Sequence, residues 1–494
     1  MTALIITATA AVQNDYAAQR LWLEVLAFVG TVVGGLFAVF KWLQEQRANN
    51  IKKQEAETQR LDELRARREA DVSAERARLQ EQKVVEAQRR SEHAAELVRD
   101  FGAAENEVKR LTIAMALTVY PDDAAPILVN AMGYAGDELA QGLEAALLTI
   151  GLPSMPRLVM ANRLAARMVS SRSGTGTAEQ HRDLFNAEAL LSHSRRVISV
   201  LLMQCPRGHL CELDLEDVDL RGTVFAGLNF RSGNFRKSVL NGADFSHSGL
   251  VHVVLRGASI ADTKFTACVM DHADLTGAYG AAVFLGVRGK EINMSRASLR
   301  GANLRGAVMP GCTLVGTDLG GALMEGFSAT RSSLSHRTCL DGVQAQNSHW
   351  QRSRWDDVSA DHAVLDSAEL SQAEISHSFL NRSRAVQVHA GGVSMLGTSL
   401  QGADWRGADF RDAKLTDVSM EGTNLAGANF TGATIQGCRF TGATLEGVSF
   451  SRCAFSSMVS LGSSRPSPVR VDLRDASFDE GSEQFRRWIA GDSD

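Results

Sequence analysis

Leu400-Gln401-Gly402-Ala403-Asp404-Trp405-Arg406-Gly407-Ala408-Asp409-Phe410 carries a large apolar residue at 400, 405 and 410, with a small residue two places before 405 and 410. The same spacing starts at Leu215 and continues through Leu220, Phe225, Phe230, Phe235, Leu240 and onward to Leu275 without a miss. At 44% hydrophobic composition, such an unbroken series of thirteen arises by chance roughly once in 40,000 trials. The register then loses one residue and resumes at Tyr279, Phe284 and Met294, with Leu304 on it, as far as Leu334. It gains one and runs from Leu340 through Trp350, Trp355 and Trp405 to Phe455.

A period of five is neither helical nor that of a flat strand. On an extended segment, positions i−2 and i point the same way and i−1 points out. The two remaining residues must turn a corner so that the next pair points inward again. Glycine occupies many of these corners, among them Gly222, Gly301 and Gly402, where positive φ suits it. The chain therefore winds around a narrow core holding one small and one large side chain per face, with Phe230, Leu304, Trp405 and Phe430 among the large ones. Repeats of this kind predict a solenoid.

Here the sequence resembles the pentapeptide-repeat family, whose consensus A(D/N)LxG is met by Ala302-Asn303-Leu304-Arg305-Gly306 and, with Trp in the central place, by Ala403-Asp404-Trp405-Arg406-Gly407. Ala428-Asn429-Phe430-Thr431-Gly432 is a third instance. The resemblance covers about 210–478 and implies an all-β right-handed quadrilateral β-helix with four pentapeptides to a coil. The region assigned to the solenoid is 205–478. Residues 479–494, with Glu483 to Ala490 as a short helix, are expected to cap its C-terminal edge, which an open solenoid requires.

The N-terminal part is of a different kind. Residues 21–43 include an uncharged run from Val25 to Phe40, with Trp22 and Trp42 near its two ends. That is about the 20 residues needed to cross a bilayer core, and the indoles suit the headgroup layer. Lys41, Arg47, Lys52 and Lys53 follow immediately. The positive-inside rule then predicts a single-pass protein of the cell (inner) membrane, with residues 1–20 outside and the bulk in the cytoplasm. Gly30 and Gly34 form a GxxxG face that permits close packing of two membrane helices.

Residues 44–100 contain 13 Lys and Arg, 13 Asp and Glu, and neither Gly nor Pro. This composition predicts a long charged helix, either paired as a coiled coil or standing alone with i,i+4 ion pairs. The apolar positions hold no strict heptad. Residues 101–204 read as a small helical region of short paired helices, interrupted by a linker at 170–177 (Ser170 to Thr177, SSRSGTGT). A homo-oligomer formed through the membrane helix and stalk is expected.

Composition narrows the function. The chain has 494 residues, 43 Gly, 8 Pro and a net charge of −5. Residues 209–478 hold 27 Asp and Glu against 25 Lys and Arg, a difference of −2. That near-neutral balance disfavours both nucleic-acid binding and the acidic DNA mimicry of family members that protect DNA gyrase. Seven Cys without a CxxC pair do not suggest a disulfide framework, and Cys205, His209 and Cys211 lack an obvious fourth metal ligand. No catalytic constellation, cofactor motif or metal site emerges, so no enzyme activity and no cofactor is expected. The expected function is a membrane-anchored scaffold or sensor that binds an unknown protein partner. An effector that disturbs the bilayer when its transmembrane helices cluster is the alternative. The irregular stretch 345–392, with outward Arg352, Arg354, Arg382 and Arg384, is the candidate partner surface.

Overall fold

The computed structural model describes residues 16–171, 178–205, 210–457 and 471–490. Most of the linker 170–177, the tail before Tyr16, His209, the stretch 458–470 and residues 491–494 lie outside the described residues. Met1–Glu92 and His93–Asp494 are two separate compact units.

The first unit is helical throughout its described part. Helix α1 (Tyr16–Ala103) runs without a break through the apolar segment and the charged segment. Leu23, Leu26, Phe28, Leu36 and Phe40 are all exposed. Thr31, the hydroxyl in the apolar run, donates to the carbonyl of Ala27 at 2.5 Å, so it needs no outside partner. Among the described helices, α1 alone is by itself long and apolar enough to cross a bilayer. Further along, Arg65–Asp62 at 3.7 Å and Arg90–Glu86 at 2.7 Å are one-turn ion pairs on exposed faces.

The second unit opens with the end of α1, where Ala94 and Phe101 are buried. Helix α2 (Glu107–Leu117) is capped by Asn106, whose Oδ1 accepts the Lys109 N–H at 2.8 Å. Helices α3 (Pro121–Met132), α4 (Asp137–Ile150), α5 (Met155–Ser170) and α6 (Ala178–Gln204) complete the bundle. Gly142 allows α2 to close on α4: a Cβ there would lie 1.7 Å from Leu111 Cδ2.

From Leu210 the chain is a parallel β-solenoid. Four ladders start at Asp214, Asp219, Val224 and Asn229, and each steps to a partner 20 residues on. The first ladder runs from Asp214↔Asn234 to Ala454↔Ser477, and from Ser333 its short strands form an eight-stranded parallel sheet. Each step is the same exchange: Leu220 N–H donates to Val239 O at 2.8 Å, and Val239 N–H to Val218 O at 3.0 Å. The lost residue lies at one corner, where the step 259↔279 is followed by 264↔283. The gained residue lies at another, between 313↔333 and 318↔339. Both irregularities fall on corners, so the inward pattern survives them.

The second residue of each corner takes positive φ, and glycine is only one way to meet that demand. Lys237, His252, Arg352 and Asp412, at φ 56, 58, 58 and 54, do the same. None of the non-glycine residues in this conformation is β-branched, as sterics require.

Inside, large residues stack coil upon coil. Phe430 lies between Phe410 and Phe450 at centroid distances of 4.7 and 5.1 Å, and Trp405 stacks on Phe410 at 5.4 Å. Where the pattern breaks, volume is exchanged locally. Gly289 occupies a large-residue place because Ile292 fills the space, and a Cβ at 289 would meet Ile292 Cδ1 at 2.9 Å. Phe327 and Ala329 exchange sizes in the same way, and both are buried. The three core tryptophans each donate their indole N–H to an inward serine: Trp350 to Ser348 at 2.8 Å, Trp355 to Ser353 at 2.9 Å, and Trp405 to Ser383 at 3.0 Å.

Both ends of the solenoid are covered. At the C-terminal end, helix α7 (Glu483–Ala490) inserts buried Phe485 against Phe440 and Phe455, at 5.3 and 5.4 Å. At the N-terminal end, the cover is the helical bundle. Asn162 of α5 is fully buried; its Nδ2 donates to Asp219 O at 3.0 Å, and its Oδ1 accepts Asp219 N–H at 2.7 Å. One side-chain amide thus supplies both hydrogen bonds that a preceding coil would have made there. Arg163 pairs with Asp214 at 3.2 Å and Arg167 with Asp217 at 2.6 Å, while Ile198, Leu201 and Leu202 of α6 join the same hydrophobic core as Leu215 and Leu220.

Candidate binding surfaces

The outward residues of the ladders are the surface this fold offers, and most of their charges are spent internally. A recurring Asp-apolar-Arg triplet folds its guanidinium back on its own aspartate, since both project outward from one extended segment. Asp404 and Arg406, Asp409 and Arg411, and Asp472 and Arg474 pair at 2.8, 2.6 and 2.7 Å. Hydrogen bonding from Arg411 holds the Asp409 carboxyl below its ordinary range, and Arg474 does the same for Asp472. Asp219 and Arg221, at 2.6 Å, repeat the arrangement on the first coil.

Arg352, Arg354, Arg382 and Arg384, read from the sequence as one surface, are divided by the fold. Arg354 stands on the first ladder, in register with Ser333 and Glu374, and Arg352 on the corner just before it. Arg384 stands on the third ladder, in register with Val364 and Asp404, and pairs with Asp366 at 2.9 Å. The two pairs are half a coil apart, because ladders one and three are separated by ten residues of winding. Phe230, Leu304, Trp405 and Phe430 are fully buried and serve the core. Gly30 and Gly34 lie on α1 with open space where a Cβ would stand.

A surface not anticipated from the sequence lies in the bundle. A groove of about 320 Å³ opens between α3, α5 and α6, walled by Val129, Tyr134, Met160, Leu164, Met168 and Leu190. Met160, Leu164 and Met168 are exposed at four-residue spacing, a stripe that could have been read from the sequence as a helix face.

The cysteines are mostly core residues. Cys268, Cys312, Cys438 and Cys453 are buried, and burial pushes the thiols of Cys268, Cys438 and Cys453 up to about 12 and that of Cys312 to about 11. Cys268 and Cys453 donate to Phe245 O and Phe430 O, at 2.9 and 2.8 Å, a bond that Ser248 and Thr423 make from equivalent places. Alkylation of the native protein should therefore label exposed Cys211 first and half-buried Cys205 and Cys339 slowly, leaving the other four until denaturant is added. Mass spectrometry reads this as the number of adducts; labelling of Cys268 or Cys453 in the native state would contradict the burial pattern.

A parallel solenoid of five-residue units with paired outward charges is an architecture for display. The chain matches pentapeptide repeats (8 copies) at residues 214–250, 290–326 and 395–432, and a second description of pentapeptide repeats (9 copies) at 421–465. The solenoid within residues 214–465 thus carries pentapeptide repeats. Among solved structures it is similar to HetL, a pentapeptide-repeat protein involved in heterocyst differentiation regulation in the cyanobacterium Nostoc sp. strain PCC 7120. The identity is 24% over 48% of this chain and 89% of that one, with a TM-score of 0.24. QnrB1, a plasmid-mediated fluoroquinolone resistance protein, is 14% identical over 45% of this chain and 96% of its own, with a TM-score of 0.19. A pentapeptide-repeat protein of the Arabidopsis thaliana thylakoid lumen is 23% identical over 23% of this chain and 68% of its own, with a TM-score of 0.14. Among curated proteins, none matches the chain.

Proposed function

We propose that the chain is a non-enzymatic, membrane-anchored scaffold that holds a β-solenoid in the cytoplasm for binding another protein. The observation that carries this reading is the exposed apolar run on α1, followed at once by exposed Lys41, Arg47, Lys52 and Lys53 on a chain that also bears the display solenoid. Residues 21–43 span the inner membrane once, with the N-terminus outside. Gly30 and Gly34 bring two membrane helices together, and the charged part of α1 pairs below them, so the scaffold is a homo-oligomer. The four ladders support a four-sided winding, taken as right-handed.

A reporter fused after Asp494 should show cytoplasmic activity, and the chain should leave the membrane with detergent and stay there in alkaline carbonate. Gly30→Ile with Gly34→Ile should reduce the assembly seen by light scattering in detergent. Periplasmic reporter activity, or release by carbonate, would overturn the anchored arrangement.

A further inference from the structure

Ten arginines of the described solenoid are engaged in ion pairs, Arg384 with Asp366 and Arg411 with Asp409 among them. Arg331, Arg337, Arg352 and Arg354 are exposed and make none. They are also neighbours. Arg331 and Arg352 occupy the same corner of successive coils, where Arg331 N–H donates to Gln351 O at 3.0 Å. Arg354 sits on the first ladder directly beside Ser333, and Arg337 closes the far side of that face. Arg337 belongs to the single inserted corner between Asp214 and Phe455, where His336 and Arg337 both take positive φ, at 53° and 61°.

We propose that this platform of four guanidinium groups, one on the first ladder and three on its two flanking corners, binds a short, extended acidic segment of a partner protein. The proposal rests on the scaffold reading and names the partner's chemistry. Guanidinium forks match carboxylates in two-point contacts that a lysine cannot copy. A segment lying along the strand direction presents alternate side chains to the face about 7 Å apart, a spacing that lets successive carboxylates reach the corner arginines, Arg354 and Arg337 in turn. Exposed Ser333 offers a hydroxyl between them. Asp357 adjoins Arg337, whose N–H donates to the Asp357 carbonyl at 2.9 Å, but neither it nor Asp356 forms an ion pair with the four arginines. Asp356 accepts from Ser376 Oγ at 2.8 Å and faces His377 Nδ1 at 3.3 Å, and Glu374 lies one coil beyond Arg354 without pairing to it. Asp356, Asp357, Glu369 and Glu374 flank the platform, so a long polyanion such as a duplex meets repulsion as soon as it leaves the four arginines. A short acidic peptide does not.

The test uses the full chain in detergent and fluorescence anisotropy of a labelled oligoglutamate peptide, with a labelled DNA duplex in parallel. Arg331→Glu/Arg352→Glu/Arg354→Glu should weaken peptide binding at least about tenfold. The matched control Arg288→Glu/Arg296→Glu/Arg452→Glu changes two corner residues and one ladder residue that are likewise unpaired, and should leave binding near the wild-type value. Should the triple variant lose its melting transition, Arg354→Ala alone reads the same loss on a smaller scale. Absent peptide binding, equal loss in the control, or tighter binding of the duplex would each overturn the proposal. Release of the chain by carbonate would defeat the anchored scaffold while leaving the peptide result to stand or fall separately.

Discussion

Phe230→Asp should abolish cooperative melting of the solenoid, whereas Arg231→Asp, one residue further, should leave the melting temperature almost unchanged. Phe230 is fully buried, with its ring centroid 5.5 Å from Phe225, 5.3 Å from Phe235 and 5.8 Å from Phe245. Removing a buried Phe side chain alone costs about 3–5 kcal/mol. The substituted carboxylate adds the expense of an unpaired charge in a core one side chain wide, where the inward hydroxyls of the next coil, Ser238 and Ser248, already donate to Leu215 O and Phe225 O. Arg231 is exposed and contributes only backbone to the ladder, its carbonyl accepting the Glu212 N–H at 2.9 Å. Circular dichroism melts of the two variants measure the contrast directly. Equal damage from both would mean that the inward and outward positions had been exchanged.

That contrast was readable in advance because a period of five leaves no freedom about which residues face in. Leu215 to Leu275 fix the register, and the lost and gained residues were visible as shifts near Leu275 and Leu334, although Tyr279, read as the first inward residue of the shifted series, is an exposed ladder residue and the loss follows it. Three things were not visible, each for a physical reason. Corner conformation belongs to the backbone, so His252 and Arg352 in the left-handed region look like ordinary polar residues until the coil is seen. Face identity needs the coil length: Arg354 and Arg384 are both outward, yet only the four-ladder winding shows them half a coil apart. The N-terminal cover depends on a contact between residues 57 positions apart, and Asn162 in an amphipathic helix gives no local sign that it completes a β-ladder. The tryptophans show the opposite case. Ser348 and Ser353, each two places before a Trp, occupy the small inward position of their own repeats, so the indole acceptors could have been named from spacing alone.

The N-terminal cover also changes how the solenoid can be isolated. A boundary at residue 205 keeps every pentapeptide and discards α5 and α6, and with them Asn162, Arg163, Arg167, Ile198, Leu201 and Leu202. The first coil would then expose Leu215 and Leu220 from one side, leave the Asp219 backbone N–H and C=O without partners, and gather Asp214, Asp217 and Asp219 with fewer counter-charges. A fragment 205–494 should therefore aggregate or melt far below a fragment 93–494, which retains the bundle. The point substitution Asn162→Leu isolates the hydrogen-bonded part of this effect: it is nearly the same size, keeps the helix, and strands the two backbone groups of Asp219. Its expected cost is about 2–6 kcal/mol, since each of the two buried groups left without a partner costs about 1–3 kcal/mol. Thermal melts of 93–494 with and without the substitution, beside light scattering of 205–494, separate the two contributions. A monomeric 205–494 melting at the same temperature as 93–494 would show that the first coil needs no template and that the bundle merely rests on it.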